Sequence, residues 1–182
     1  MYTASEKKKT NIAEYLLYMW QIEDLIRAQG LDIDKIDENI ISRYKDLDEE
    51  QLKALREWYE SLIDMMRMEG VAEKGHLQIN KNVITALEDL HRRLMADSKF
   101  ASYATQYYAT LPLIVELRAK AGENKADEIE TCFNALYMLL MMRMQGKEVS
   151  GETEDAMRQI SKYLALLSHY YRLDYNNELF KD

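Results

Sequence analysis

The sequence contains one proline, one cysteine and only 6 glycines. So few turn-forming residues exclude most β-rich folds, because tight turns between strands depend on glycine and proline. The lone cysteine, Cys132, excludes an intrachain disulfide. No apolar run is long enough to cross a bilayer, and Glu14 interrupts the stretch that a signal peptide would need. We therefore expect a soluble, cytoplasmic, all-α protein without a membrane segment.

Positive charge is also scarce, because 24 Lys and Arg residues stand against 32 Asp and Glu, a net charge of −8. The compact basic clusters are Lys7–Lys9 and Arg92–Arg93, whereas nucleic-acid binding requires a clustered basic surface. We therefore expect no nucleic-acid partner. The acidic segment 31–50 is most simply interpreted as a solvated connector, and less simply as a docking site for a basic partner.

Apolar residues make up 47% of the 182 residues and recur in steps of three and four, as in amphipathic helices. This periodicity predicts seven helices, over residues 11–29, 35–44, 48–70, 80–96, 98–120, 125–145 and 152–172. Residues 1–10 and 173–182 are predicted to be irregular tails. The expected architecture is a single domain, 1–182, forming an antiparallel bundle of six to seven helices. Because proline removes a backbone donor, Pro112 predicts a kink or break in the fifth helix.

Helix ends carry recognisable caps. Asn11 and Asp48 are predicted N-caps, with Glu14 and Gln51 three residues later as capping-box partners. Three predicted C-termini share an arginine three residues before a glycine, in 24–30, 64–70 and 140–146. Glycine suits the left-handed cap and arginine complements the helix dipole, so capping is the favoured interpretation. The alternative is a duplication of helical hairpins of about 38 residues.

Two Glu-x-x-His pairs are candidate metal ligands, Glu73 with His76 and Glu88 with His91. Residues three apart share a helix face, so a carboxylate and an imidazole can hold one ion. Glu88 and His91 lie on a predicted helix and are the candidate metal pair, whereas the other pair flanks Gly75 in a predicted turn. The simpler interpretation is a boundary histidine and a loop histidine, since such short motifs recur by chance. Further carboxylates that could contribute are Glu14, Glu23, Glu57 and Glu60.

No catalytic constellation is evident. Cys132 falls on an apolar helix face, where a small buried residue is the usual role. Ser168 and His169 are adjacent and therefore point in different directions on a helix. The sequence assigns no catalytic residue and implies no cofactor, and it favours a non-enzymatic protein.

Tyrosine and methionine are unusually frequent, with 13 and 11 residues. Such side chains can line an adaptable pocket or interface, although they more often form the core and its rim. The candidate ligand-binding tyrosines are Tyr103, Tyr107, Tyr163 and Tyr170. Our leading hypothesis is an interaction or scaffold protein that forms a homo-oligomer or binds a protein partner. The alternative is a small-molecule- or metal-binding bundle using Glu88 and His91.

Three stretches carry a resemblance to a known family: NIAEYLLYMWQIEDLIRAQGLDIDKI, EWYESLIDMMRMEG and EKGHLQINKNVI. They resemble a bacterial, all-helical family classed as a domain of unknown function and numbered 4924, over nearly the whole chain. The resemblance implies a bacterial cytoplasmic protein. Because the family has no assigned activity, it provides no catalytic residues to carry over.

Overall fold

The computed structural model describes residues 2–121 and 126–180, and within these ranges the regular structure is entirely helical. The all-α prediction is therefore confirmed. The helices are α1 (Tyr2–Thr10), α2 (Ile12–Ala28), α3 (Ile33–Asn39), α4 (Glu49–Met68), α5 (Gln78–Ala96), α6 (Ala101–Lys120), α7 (Glu128–Met144) and α8 (Gly151–Tyr175). Single 3₁₀ turns follow α3 and α5, at Ile41–Arg43 and Ser98–Phe100.

The seven predicted helices correspond to α2 to α8, but the prediction of an irregular N-terminal tail is wrong. Residues 2–10 form α1, which lacks apolar periodicity and is held by contacts with α2 instead. Lys7 Nζ lies 2.6 Å from a carboxylate oxygen of Glu14, and Lys8 lies over the ring of Tyr15. At the other end, α8 continues to Tyr175, three residues into the predicted tail. Some positions covered by these predictions lie outside the described residues: Met1, Lys125, where the sixth helix was predicted to begin, and residues 181–182.

The predicted caps are present at α2 and α4. The Asn11 side chain accepts a hydrogen bond from the Ala13 amide, at 3.1 Å. Asp48 accepts from the Gln51 amide at 2.8 Å, while the Gln51 side chain accepts from the Asp48 amide at 3.0 Å. This reciprocal pair is the predicted capping box of α4.

The recurring Arg-x-x-Gly pattern forms the same C-terminal cap three times. Gly30, Gly70 and Gly146 have φ of 70°, 69° and 67°, in the left-handed region that glycine enters without steric cost. The amide after each glycine donates to the carbonyl five residues earlier, a Schellman arrangement. The bonds run from Leu31 to Ile26, Val71 to Met66, and Lys147 to Met142, at 3.0, 2.9 and 3.0 Å. Shared capping thus accounts for the pattern, and the hairpin duplication stays a prediction.

Pro112 lies inside α6, which runs unbroken from Ala101 to Lys120, so the predicted break does not occur. The carbonyl deprived of its donor belongs to Tyr108, four residues earlier, on the exposed side of the helix. The Gln159 side chain of α8 also donates to the carbonyl of Ala109. Because Tyr108 is exposed, water can bond its carbonyl, and the helix continues through the proline.

The chain divides into two compact units, which pack their own cores. The first comprises Met1–Lys9 and Glu14–Asn82, and the second Thr10–Ala13 and Val83–Asp182. In the first, α3 packs on α4; in the second, α6, α7 and α8 pack on one another. Large buried side chains of the first unit include Trp20, Tyr59 and Met66, and those of the second include Tyr103, Phe133 and Tyr163. The single-domain assignment stays a prediction.

Candidate functional sites

The second unit gathers the predicted metal histidine and the predicted tyrosines into one cluster. Nδ1 of His91, on α5, lies 2.7 Å from the hydroxyl of Tyr103 and 3.1 Å from that of Tyr163. The two hydroxyls are 3.1 Å apart, so the three groups form a triangle. The ring of Tyr107 lies 4.7 Å from the imidazole, and that of Tyr170 lies 5.8 Å from Tyr103.

Counting protons in this triangle assigns the tautomer of His91. When Nδ1 accepts from Tyr103, and Tyr103 accepts from Tyr163, both buried hydroxyl protons have acceptors. When Nδ1 carries a proton, one hydroxyl proton loses its acceptor within the described part of the chain. Burial also lowers the pKa of His91 below its usual value. His91 is therefore neutral at neutral pH, with its proton on Nε2.

This tautomer opposes a metal at His91. Nδ1 is already occupied by tyrosine, and an ion on Nε2 would move the proton to Nδ1 and leave a buried hydroxyl unsatisfied. Glu88 interacts instead with Asp127, and burial together with that carboxyl raises the pKa of Glu88. The described residues contain no group of three or more His, Cys, Asp or Glu side chains placed to hold an ion. The metal assignment stays a prediction without geometric support.

The four predicted ligand tyrosines come together, but as packed core. Tyr103 and Tyr163 are fully buried and Tyr107 is nearly so. The Tyr107 hydroxyl donates to a carboxylate oxygen of Glu128 at 2.6 Å. Burial raises the pKa of Tyr107, and the Glu128 carboxylate raises it further. An open cleft of about 540 Å³ in this unit is lined by other residues, including Leu113, Leu117 and Met157. The tyrosine cluster therefore has the geometry of a hydrogen-bonded core.

Cys132 lies beside this cluster on the buried face of α7, as the sequence predicts. Burial raises the pKa of its thiol to about 12, so the thiolate is scarce at neutral pH. This environment suits a small buried residue and provides no activated nucleophile.

In the first unit, a fully buried carboxylate joins α2 to the segment before α5 and to the first turn of α5. Glu23 Oε1 accepts from the Leu77 amide at 3.0 Å and from the Asn80 side chain at 2.6 Å. Its Oε2 lies 2.6 Å from Nδ1 of His76, whose ring stacks on Trp20 at 4.2 Å between centroids. His76 thus pairs with Glu23 rather than with the predicted Glu73.

Arg27, one turn after Glu23, holds the same segment by its backbone. It donates to the carbonyl of Val71 at 3.1 Å and also to that of Gly75. Arg67 makes the reciprocal bond, at 2.9 Å, to the carbonyl of Leu31. Arg27, which precedes Gly30, thus binds the backbone just after Gly70, and Arg67, which precedes Gly70, binds the backbone just after Gly30. These bonds connect the C-terminal ends of α2 and α4.

Sequence reasoning counted Glu23 among several spare carboxylates and did not single it out. A usable signal exists, because Glu23 shares the helical register of Leu16, Met19 and Ile26, all buried. A carboxylate on a buried stripe requires hydrogen-bond partners, which can come from distant parts of the chain.

A third feature is the apolar segment of α7, residues 135–142, with the sequence ALYMLLMM. The buried residues of α7 end at Phe133, and none of the residues 135–142 is fully buried. Met138 is 65% exposed and Met144, just beyond, is 70% exposed. The neighbouring helix α6 has no charged residue over 101–115 and exposes Tyr108 and Val115. Residues 101–115 of α6 and 131–142 of α7 therefore contribute no charge to the surface.

Together these features define an all-α protein that has, among the described residues, two buried polar networks and an apolar helical segment that is only partly buried. The chain matches a protein family described as a domain of unknown function (DUF4924) over residues 1–178, and it belongs to that family. No curated protein and no solved structure matches it. Among the described residues, no helix is both long and apolar enough to cross a membrane.

Proposed function

We propose that this protein is a non-enzymatic helical interaction protein that associates with a second copy of itself through the apolar segment of α7. The observation that carries the proposal is that residues 135–142 are apolar on every side of the helix, yet none is fully buried. Helices that are apolar all round belong in an interior, and exposed apolar patches mark interaction sites. Leu136, Leu139 and Leu140 gain further burial only when another surface covers them.

The charge distribution favours a second copy as the occupant. The chain carries a net charge of −8, so two copies repel each other over most of their surface. The segments 131–142 of α7 and 101–115 of α6 contain no charged residue, so two chains can meet there without facing like charges. Homo-oligomers with a self-complementary patch are also the commonest soluble assemblies. The proposal includes a bacterial, cytoplasmic setting, which rests on the family resemblance.

Sedimentation equilibrium of the full chain, over a range of concentrations, tests the proposal. We expect concentration-dependent association of the wild type, weakened at least tenfold by Met138→Lys. Met68→Lys is the matched control, because Met68 lies on α4 and is even more exposed, at 87%. Circular dichroism verifies that each variant keeps its helix content.

A wild-type protein that stays monomeric at the highest concentration would refute self-association. Equal weakening by both lysine substitutions would place the interface elsewhere. A monomer that binds lipid vesicles through α7 would assign the apolar segment to a membrane surface instead.

A further inference from the structure

We propose that the methionines of α7 form an oxidation site whose conversion to sulfoxide releases the associated copies; this inference rests on the proposed self-association. Four of the 11 methionines fall within seven residues, at 138, 141, 142 and 144. At about 100° per residue, Met138, Met141 and Met142 lie within about 100° of one another around the helix. Of the buried residues of α7, Ile129 and Phe133 lie opposite that arc, and Thr131 lies within it two turns before Met138. Met138 is exposed and Met141 and Met142 are half-buried, so solvent reaches this part of α7.

The reagent class is a peroxide, such as hydrogen peroxide. The thioether sulfur attacks one peroxide oxygen, the O–O bond breaks, and an S=O bond forms. Sulfur is oxidised by two electrons, the peroxide is reduced, and the second oxygen leaves as water. The step needs no base, metal or activated thiol, and requires only that the peroxide reaches the sulfur. Met138, at 65% exposure, satisfies that requirement in the single chain.

Oxidation changes the surface in the direction that opposes association. Methionine sulfoxide is polar and has an oxygen that accepts hydrogen bonds, and burying such a group without a donor is unfavourable. Ala135, Met141 and Met142, which lie one turn from Met138, carry no side-chain donor, and Asn134 is exposed to solvent. A sulfoxide at Met138 would therefore keep its water and hold the two faces apart.

The same interface makes the reaction dependent on protein concentration. When a second copy covers this part of α7, peroxide reaches the sulfurs only in the dissociated fraction. By mass action, the oxidation rate of Met138 falls as the associated fraction rises. Met68, on α4, lies outside the proposed interface, so we expect it to oxidise at the same rate at every protein concentration.

The experiment treats the full chain with limited hydrogen peroxide at low and high protein concentration. Peptide mass spectrometry follows sulfoxide at each methionine, and sedimentation equilibrium measures association before and after treatment. We expect protection of Met138 but not Met68 at high concentration, and an increase of tenfold or more in the dissociation constant after oxidation. The triple variant Met138→Leu, Met141→Leu, Met142→Leu keeps an apolar face without sulfur, so its association should survive peroxide.

The two hypotheses fail in distinguishable ways. Untreated protein that does not associate refutes the proposed function, and the oxidation switch with it. Untreated protein that associates, but keeps its dissociation constant after complete oxidation of Met138, overturns the switch alone. Equal loss of association in the peroxide-treated leucine variant would also overturn it, since the effect would then not come from Met138, Met141 or Met142.

Discussion

Replacing Glu23 tests whether its buried carboxylate anchors the segment before α5. In Glu23→Ala, the Leu77 amide and the Asn80 side-chain amide lose their acceptor, and His76 loses its partner. Each buried donor left unsatisfied costs roughly 1–3 kcal/mol, so the two amides together account for about 2–6 kcal/mol. Because Glu23, Leu77 and Asn80 are all fully buried, both donors stay inside the core, and we expect a loss of about 3–5 kcal/mol in the free energy of unfolding.

The variant Glu23→Gln separates shape from charge. The glutamine carbonyl can still accept from Leu77 and Asn80, but the charge-assisted bonds become neutral ones. Since hydrogen bonds to charged groups contribute about 1.5–3 kcal/mol and neutral ones about 0.5–1.5 kcal/mol, we expect an intermediate loss of about 1–3 kcal/mol.

Urea unfolding followed by circular dichroism measures these changes. Asp24→Asn is the matched control, because Asp24 is adjacent, pairs with Arg27 at 2.7 Å and is exposed. An exposed pair of this kind contributes at most about 1 kcal/mol. If Glu23→Ala cost no more than Asp24→Asn, the anchoring role argued from these contacts would be refuted.

Three further predictions address the caps and the second unit. Gly70→Ala should destabilise by about 1 kcal/mol in urea unfolding, because an alanine at φ of 69° is strained although its Cβ meets no atom within 4 Å. Burial lowers the pKa of His91 in the folded chain, so the unfolded chain binds its proton more readily; stability should fall as pH drops below about 6.5, and less steeply in His91→Gln. Burial and Asp127 raise the pKa of Glu88 in the folded chain, so its ionised form is disfavoured there; Glu88→Gln should raise the thermal midpoint at pH 7 and have almost no effect at about pH 3, where both states hold the proton. A lower midpoint at pH 7 would contradict this assignment.

Periodicity and capping residues were enough to predict seven of the helices. Apolar side chains at steps of three and four define one face of α4 before any partner is known, and Asp48 with Gln51 marks its start through bonds within four residues. The glycines at 30, 70 and 146 likewise form their caps from adjacent backbone. These features depend on local geometry, which the order of residues determines directly.

Periodicity and capping residues could not predict contacts between residues that are distant in the sequence. Glu23 meets His76 across 53 residues, and Tyr103 meets Tyr163 across 60. Helix α1 has no amphipathic pattern of its own, and its contacts with Glu14 and Tyr15 are visible only in the folded chain. Periodicity likewise marks residues 135–142 as apolar without indicating whether anything covers them.

The difference between what the sequence predicts and what it does not follows from the range over which each interaction acts. Helix propensity, capping and the left-handed glycine act over a few residues, so the sequence by itself determined the helices and their ends. Whether a buried carboxylate finds donors, which tautomer a histidine adopts and which apolar face stays uncovered depend on the packing of whole helices. Only the tertiary structure decided that His91 belongs to a tyrosine core, that Glu23 anchors the start of α5 and that the apolar residues 135–142 of α7 are not fully buried.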